Sequence, residues 1–365
     1  MKRILSSILL ISMVTMIFLS AWPPDMTAAE PQPPFADSVS GQLLPLLQAR
    51  GAILVDADTG KTIFSVNEQE RLYPASTTKI LTALLAIEQG DLDERVTVGD
   101  EIYLAPADSS KAGLMKGQVL SLKNLVYALM LPSGNDAALT IAVHIGRKTR
   151  PGEALSIQQA LNGFIEMMNQ RAQQLGAVHS HFSNPDGYHD DKHFSTPADM
   201  AMIARQAMLS PFLRQVVSTS IYPTASGQHA ASGTWVNTNE LLRTNDPFFM
   251  QEATGIKTGH TREAGYCLVS SATRGDAHLL AVVLNSTPTG VYTDSIHLLK
   301  YGFVHYPPHT PLPPEGDLDY PYAEKASTIY IIVLLCAGIY AATRVIEARV
   351  RHREKATVGQ EFTSA

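Results

Sequence analysis

Ser76-Thr77-Thr78-Lys79 sets a hydroxyl and an amine three residues apart, directly ahead of an apolar run over residues 80–87. On a helix, positions i and i+3 share a face, so the Lys79 amine reaches the Ser76 hydroxyl. At a helix start, free backbone N–H groups and the dipole favour negative charge developing on the serine side. A lysine at the start of a buried helix is desolvated, which lowers its pKa and suits it to take a proton from that serine. This is the layout of an activated nucleophile. By itself the spacing is common, and a capping serine followed by an unrelated lysine gives the same pattern.

Two further short motifs carry polar groups in places where chemistry would need them. Ser133-Gly134-Asn135 follows the apolar Leu129-Met130-Leu131-Pro132. If that turn projects into a cleft, Ser133 is suited to relay a proton and Asn135 to orient Lys79 or a substrate amide. Lys257-Thr258-Gly259 reads as part of a strand. Gly259 permits a second backbone to approach closely. Lys257 offers positive charge to a carboxylate, Thr258 a hydroxyl, and the His260 N–H pairs with that of Ser76 as an oxyanion hole.

The elements that must position these groups follow from periodicity and turn residues. Ala52 to Asp56 and Thr62 to Val66, joined across Asp58-Thr59-Gly60, predict a hairpin. Residues 76–88 predict a buried helix with little polar face. Residues 121–213 are mostly helical in pattern, and Thr196-Pro197 reads as a cap with proline in the first turn. Strands are predicted over residues 255–259, 265–272 and 277–284, the last two separated by Thr273-Arg274-Gly275-Asp276. A closing helix is predicted over 294–303, after Thr293. The reading is an α+β fold: one antiparallel sheet assembled from both ends of the domain, flanked by helices, with a helical insertion.

S-x-x-K, S-x-N and K-T-G, in that order, resemble the motif set shared by penicillin-binding proteins and class A β-lactamases. The likeness is longer than the triplets. Tyr73-Pro74-Ala75 precedes Ser76, Asp136-Ala137-Ala138 follows Asn135, and Lys257 to Thr261 is followed by Ala264-Gly265-Tyr266-Cys267-Leu268. Asn184-Pro185-Asp186-Gly187 and Asn237-Thr238-Asn239 match further segments. Across residues 45–305 the chain resembles the low-molecular-mass penicillin-binding D-alanyl-D-alanine carboxypeptidases, the peptidase S11 family. The resemblance implies a β-lactamase/transpeptidase-like fold with an all-helical subdomain. It implies that Ser76 attacks the penultimate D-alanine carbonyl of a peptidoglycan stem peptide, with Lys79 as base and Ser133 passing the proton to the leaving D-alanine. Lys257, Thr258 and Thr261 would hold the terminal carboxylate, β-lactams would acylate Ser76, and no cofactor or metal is needed. Members of the family often carry an arginine shortly before the last helix; Gly290-Val291-Tyr292 offers none here.

The flanks predict an address outside the cell. Residues 1–29 begin Met1-Lys2-Arg3, continue as an apolar run and end in small residues, the layout of a secretory signal peptide. Residues 30–44 read as a linker, and 306–325, with Pro307, Pro308, Pro311, Pro313, Pro314 and Pro321, as a semi-rigid stalk. Residues 326–343 hold no charged residue; at helical rise they span about 27 Å, close to a ~30 Å hydrocarbon core. The basic tail 344–365 follows, so the positive-inside rule predicts one C-terminal transmembrane helix with the catalytic part, residues 45–305, outside the cell membrane. The family's usual second, β-rich domain has no counterpart in this layout. A net charge of −6 gives no sign of nucleic-acid binding. With only Cys267 and Cys336, the second inside the apolar segment, no internal disulfide is expected.

Rival readings rest on particular residues. A class A β-lactamase on the same fold needs a glutamate in an E-x-x-x-N loop; Glu166-Met167-Met168-Asn169 is one residue short and helical in pattern. A D,D-endopeptidase shares every motif. A metal hydrolase would draw on His179, His181, His189, Asp190, Asp191 and His193, but a solvated polar loop accounts for that cluster. A non-enzymatic, membrane-tethered binder of peptidoglycan or β-lactams would not require both Ser76 and Lys79.

Overall fold

The computed structural model describes residues 47–224 and 233–305. The predicted signal peptide, the linker, the stalk, the transmembrane segment and the basic tail lie outside these residues. Among the described residues no helix is long and apolar enough to cross a membrane.

The centre is a five-stranded antiparallel sheet. In chain order its strands are β1 (Gly51–Asp56), β2 (Thr62–Val66), β7 (Ala253–Thr261), β8 (Gly265–Arg274) and β9 (Ala277–Ser286). They lie in the order β2-β1-β9-β8-β7, so N-terminal and C-terminal strands interleave as the sequence predicts. Strand β1 is buried throughout because both faces of the sheet are covered. Its side chains alternate: Ile53 and Val55 enter the core under the helical half, whereas Ala52 and Leu54 pack with Leu298 and Leu299 of the last helix.

The helical half is built from α1 (Lys79–Gln89), α2 (Leu122–Met130), α3 (Asn135–Arg147) and α4 (Ile157–Gln174). Helix α1 is its axis, buried from Lys79 through Ala86. Ser121 caps α2, and a capping box of Ser156 and Gln159 starts α4. Two small two-stranded antiparallel sheets, β3 with β4 (Arg95–Thr97, Val119–Ser121) and β5 with β6 (Ile221–Pro223, Thr234–Val236), edge the subdomain. Helices α5 (Pro197–Met208) and α6 (Pro211–Ser218) return the chain to the sheet. Thr196 caps α5 with Pro197 in the first turn, as its sequence predicts.

Several boundaries differ from the sequence reading. Ser76 lies in a short 3-10 helix, Ala75–Thr78, and the α-helix proper begins only at Lys79. The β8–β9 turn is just Gly275 and Asp276, because Thr273 and Arg274 still pair across the hairpin. The last helix, α7, runs Gly290–His305 rather than 294–303. Thr287 starts it: its hydroxyl accepts the Gly290 N–H at 3.0 Å, so the cap lies upstream of the expected Thr293.

Candidate active site

A cleft of about 690 Å³ opens between the helical half and the edge strand β7. All three predicted motifs converge there: Ser76, Ser133, Asn135, Thr258, Gly259 and His260 line it, with Thr261 at its end.

The nucleophile turn is held from two sides. Ala75 adopts a left-handed φ of 47°, and the Thr77 hydroxyl donates to Pro74 O at 2.6 Å, which fixes the tight turn. On the other side strand β7 comes against it. A Cβ added at Gly259 would sit 3.0 Å from Pro74 O and Ser76 N. Only glycine allows the strand that close to the Ser76 amide.

Lys79 is fully buried behind Ser76. Its Nζ lies 2.9 Å from Ser76 Oγ, 2.7 Å from Asn135 Oδ1 and 2.7 Å from Asp186 O. Those three acceptors satisfy an ammonium. They also satisfy a neutral amine: two N–H bonds go to Asn135 and Asp186, and the lone pair faces the Ser76 hydroxyl. Burial pulls the Lys79 pKa down to about 8, against the raising fields of Asp186 and Asp136. The neutral amine is therefore populated near neutrality, and its lone pair already points at the proton to be removed.

Asn135 begins α3, after Ser133 with a left-handed φ of 61°. Asp136 fixes this corner: its carboxylate accepts the N–H groups of Ala112, Gly113, Leu114 and Ala137 at 2.8–2.9 Å. The strained Ser133 thereby faces the cleft within the same wall as Ser76.

On β7, Thr258 lines the cleft and shares a 2.6 Å hydrogen bond with Thr238. Thr261 lines the cleft too, but its hydroxyl accepts the Ala264 N–H at 3.0 Å and so shapes the β7–β8 turn. Lys257 differs from its expected direct role. It is 1% exposed, donates to Thr258 O at 3.0 Å and lies behind the cleft lining. Burial, then the charge of Lys79, drives its pKa well below the ordinary lysine value. Its Nζ is held against the strand's own carbonyl rather than exposed in the cleft.

The structure also recruits residues that motif reading left unassigned. The loop after α4 runs under Ser76: Pro185 O accepts Thr82 Oγ1 at 2.6 Å, and Asp186 O accepts Lys79 and, at 3.4 Å, Ser76 Oγ. Arg262 stands on the open wall. Tyr188 OH donates to Asp108 at 3.2 Å across the cleft rim.

The histidine-rich segment is not one solvated polar loop. His193 is buried; the Ser183 N–H donates to its Nδ1, so its Nε2–H donates to Thr78 Oγ1 at 2.8 Å. Burial pushes its pKa down to about 3 despite the Asp190 carboxylate, so the ring is neutral. His181 bonds Lys192 O, and His189 packs edge-on against Tyr73. Among the described residues no group of histidines, cysteines and carboxylates is arranged to hold a metal ion.

A serine with a buried lysine at its back, a Ser-x-Asn corner and a glycine-bearing edge strand at its amide define a serine acyl-transfer peptidase. The chain belongs to the peptidase S11 family, D-alanyl-D-alanine carboxypeptidase, whose profile matches residues 38–288. It is 34% identical over 268 residues to the D-alanyl-D-alanine carboxypeptidase of Streptomyces strain K15, covering 71% of this chain and 88% of that one. It is 31% identical to DacF of Bacillus subtilis over 72% of this chain, but spans just 64% of that protein's length. Among solved structures, the Streptomyces K15 DD-transpeptidase superposes with a TM-score of 0.64 at 33% identity, over 72% of this chain and all of the other.

Proposed function

We propose that this chain is a serine-type D-Ala-D-Ala carboxypeptidase that removes the terminal D-alanine from peptidoglycan stem pentapeptides. The observation that carries the reading is the Lys79 amine, buried, fixed by Asn135 and Asp186, and 2.9 Å from Ser76 Oγ.

In this mechanism neutral Lys79 takes the Ser76 proton as Oγ bonds to the penultimate D-alanine carbonyl carbon. The oxyanion forms between the amides of Ser76 and His260, where the close approach at Gly259 brings the strand to the nucleophile. The C–N bond then breaks, and the leaving amine receives a proton passed from Lys79 through Ser133. Water completes the cycle: it loses a proton to the re-formed neutral Lys79 and attacks the ester carbonyl, and as the Oγ–C bond breaks Lys79 returns that proton to Ser76 Oγ. The terminal carboxylate meets the hydroxyls of Thr258 and Thr238 and the guanidinium of Arg262 at the open end, with Lys257 buried behind them. Arg262 thus fills the role of the arginine that Gly290-Val291-Tyr292 does not supply. β-Lactams enter the same acylation step and stay on Ser76.

A second reading concerns only the acceptor. The Streptomyces K15 protein carries both the carboxypeptidase and the DD-transpeptidase description, and an amine in place of water would make this acyl-enzyme a transpeptidase. Within the same proposal, export by residues 1–29 and anchoring by residues 326–343 place the domain outside the cell membrane.

The test is D-alanine release from a stem pentapeptide by the full chain and by Ser76→Ala, with a free amine acceptor added in one arm. Release by the native protein alone supports the reading. Equal release from Ser76→Ala contradicts it, and product joined to the amine selects transfer over hydrolysis.

A further inference from the structure

We propose that Asp186 is a positioning residue for catalysis: its buried carboxylate sets how readily Lys79 gives up a proton, while its carbonyl fixes where the amine sits. The inference rests on the assignment of Ser76 and Lys79 above, but concerns a side chain that the three motifs do not include.

The geometry begins with the turn Asn184-Pro185-Asp186-Gly187. Gly187 has a left-handed φ of 78°, and a Cβ there would lie 1.9 Å from Ala75 O. The turn is thus pressed against the nucleophile's own turn and cannot carry a side chain at that point. Asn184 Oδ1 accepts the Gly187 N–H at 2.7 Å, and Asn184 Nδ2 donates to Tyr188 O at 2.9 Å, which closes the turn. Asp186, 4% exposed, is left between this turn and α1. Its carbonyl takes Lys79 Nζ, and its Oδ1 accepts the Tyr188 N–H at 2.9 Å.

The Asp186 carboxylate accepts a neutral main-chain N–H, and the cation whose field bears on it is Lys79, held at 2.7 Å by the carbonyl of the same residue. The effect runs both ways: burial raises the Asp186 pKa while Lys79 lowers it, and Asp186 leads the charges that raise Lys79. Other charged or titratable groups bear on Lys79 in different ways. Asp136, from α3, has its carboxylate taken by four N–H groups, which spread its charge. Lys257, from β7, yields to Lys79 rather than the reverse: burial, then the charge of Lys79, pushes its pKa well below the ordinary lysine value. His193, behind Thr78, is neutral. Asp186 is the group that keeps Lys79 from being too weak a base.

The test titrates the Lys79 amine directly, by heteronuclear NMR of the full chain carrying ¹⁵N-lysine, with Lys79→Gln to assign the signal. Asp186→Asn retains an oxygen for the Tyr188 N–H and removes only the charge. Its Lys79 midpoint should fall by about one pH unit or more, and the acid limb of penicillin acylation should move down with it. Asn184→Ala loosens the turn without changing charge; it should slow acylation at every pH and leave the midpoint in place. Should Asp186→Asn not fold, Asp186→Ser keeps a hydroxyl for the same N–H. An unmoved midpoint in the charge-removing variant overturns the proposal, as does an equal shift in Asn184→Ala. Because the titration needs no turnover, failure of the carboxypeptidase reading would show separately as absent D-alanine release.

Discussion

The two walls of the cleft are built on opposite principles. The wall formed by α1, the α3 corner and the 184–188 loop is buried and has its hydrogen bonds made in advance: Lys79 has three partners, Asp136 four, and His193 pins Thr78. The wall formed by β7 and its turn is polar and open, presenting Thr258, His260 and Arg262 to the cleft. Proton transfer demands fixed distances and desolvation, so its groups are locked away from water. Recognition of an incoming carboxylate needs groups left free to bind, and these stay near solvent. Damage to the first wall should therefore lower kcat, and loss of a carboxylate-binding side chain on the second should mostly raise KM.

The sharpest break of that contrast is Lys79→Ala. Loss of a positioned base should lower acylation by about 10²–10⁴-fold, measured with a chromogenic β-lactam. Retained rates would mean that some other group removes the Ser76 proton. Gly259→Ala comes next. Its methyl meets backbone atoms that cannot move aside, so the strand must retreat from the Ser76 amide. A displacement on the order of 1 Å costs about 10²-fold, and a fall in kcat with little change in KM would place the defect at the oxyanion.

Smaller effects test the open wall and the pH behaviour. Arg262→Ala should raise KM by about 2–5-fold, the scale of an exposed charge contact, with kcat unchanged. Acylation by the native chain should rise with pH through about 8, as Lys79 loses its proton. For stability the sign is set by His193, whose folded pKa of about 3 lies below its ordinary 6.5. The unfolded chain then binds the additional proton between those values, so stability is full above pH 6.5 and falls as pH drops toward 3. His193→Gln should flatten that fall in urea-midpoint measurements across the window.

Much of this was legible in the sequence because the motifs and the sheet are local signals. Apolar runs bounded by turn residues marked β1, β8 and β9, and the i, i+3 spacing marked the Ser76–Lys79 contact directly. The loop under the nucleophile was harder to read. Asp186 acts through its carbonyl and its burial, neither of which has a residue-type signature, although Asn184-Pro185-Asp186-Gly187 announced a turn. His193 was masked by its polar neighbours, because whether a histidine is solvated depends on what packs over it. Lys257 was expected in the cleft because strand alternation alone does not tell which side of β7 faces substrate.

The most direct test of the account is to treat the full chain with benzylpenicillin and map the adduct by mass spectrometry. The prediction is one penicilloyl group, on Ser76, forming fast at pH 8 and slowly in Lys79→Ala. An adduct on another residue, or none on a folded protein, would contradict it.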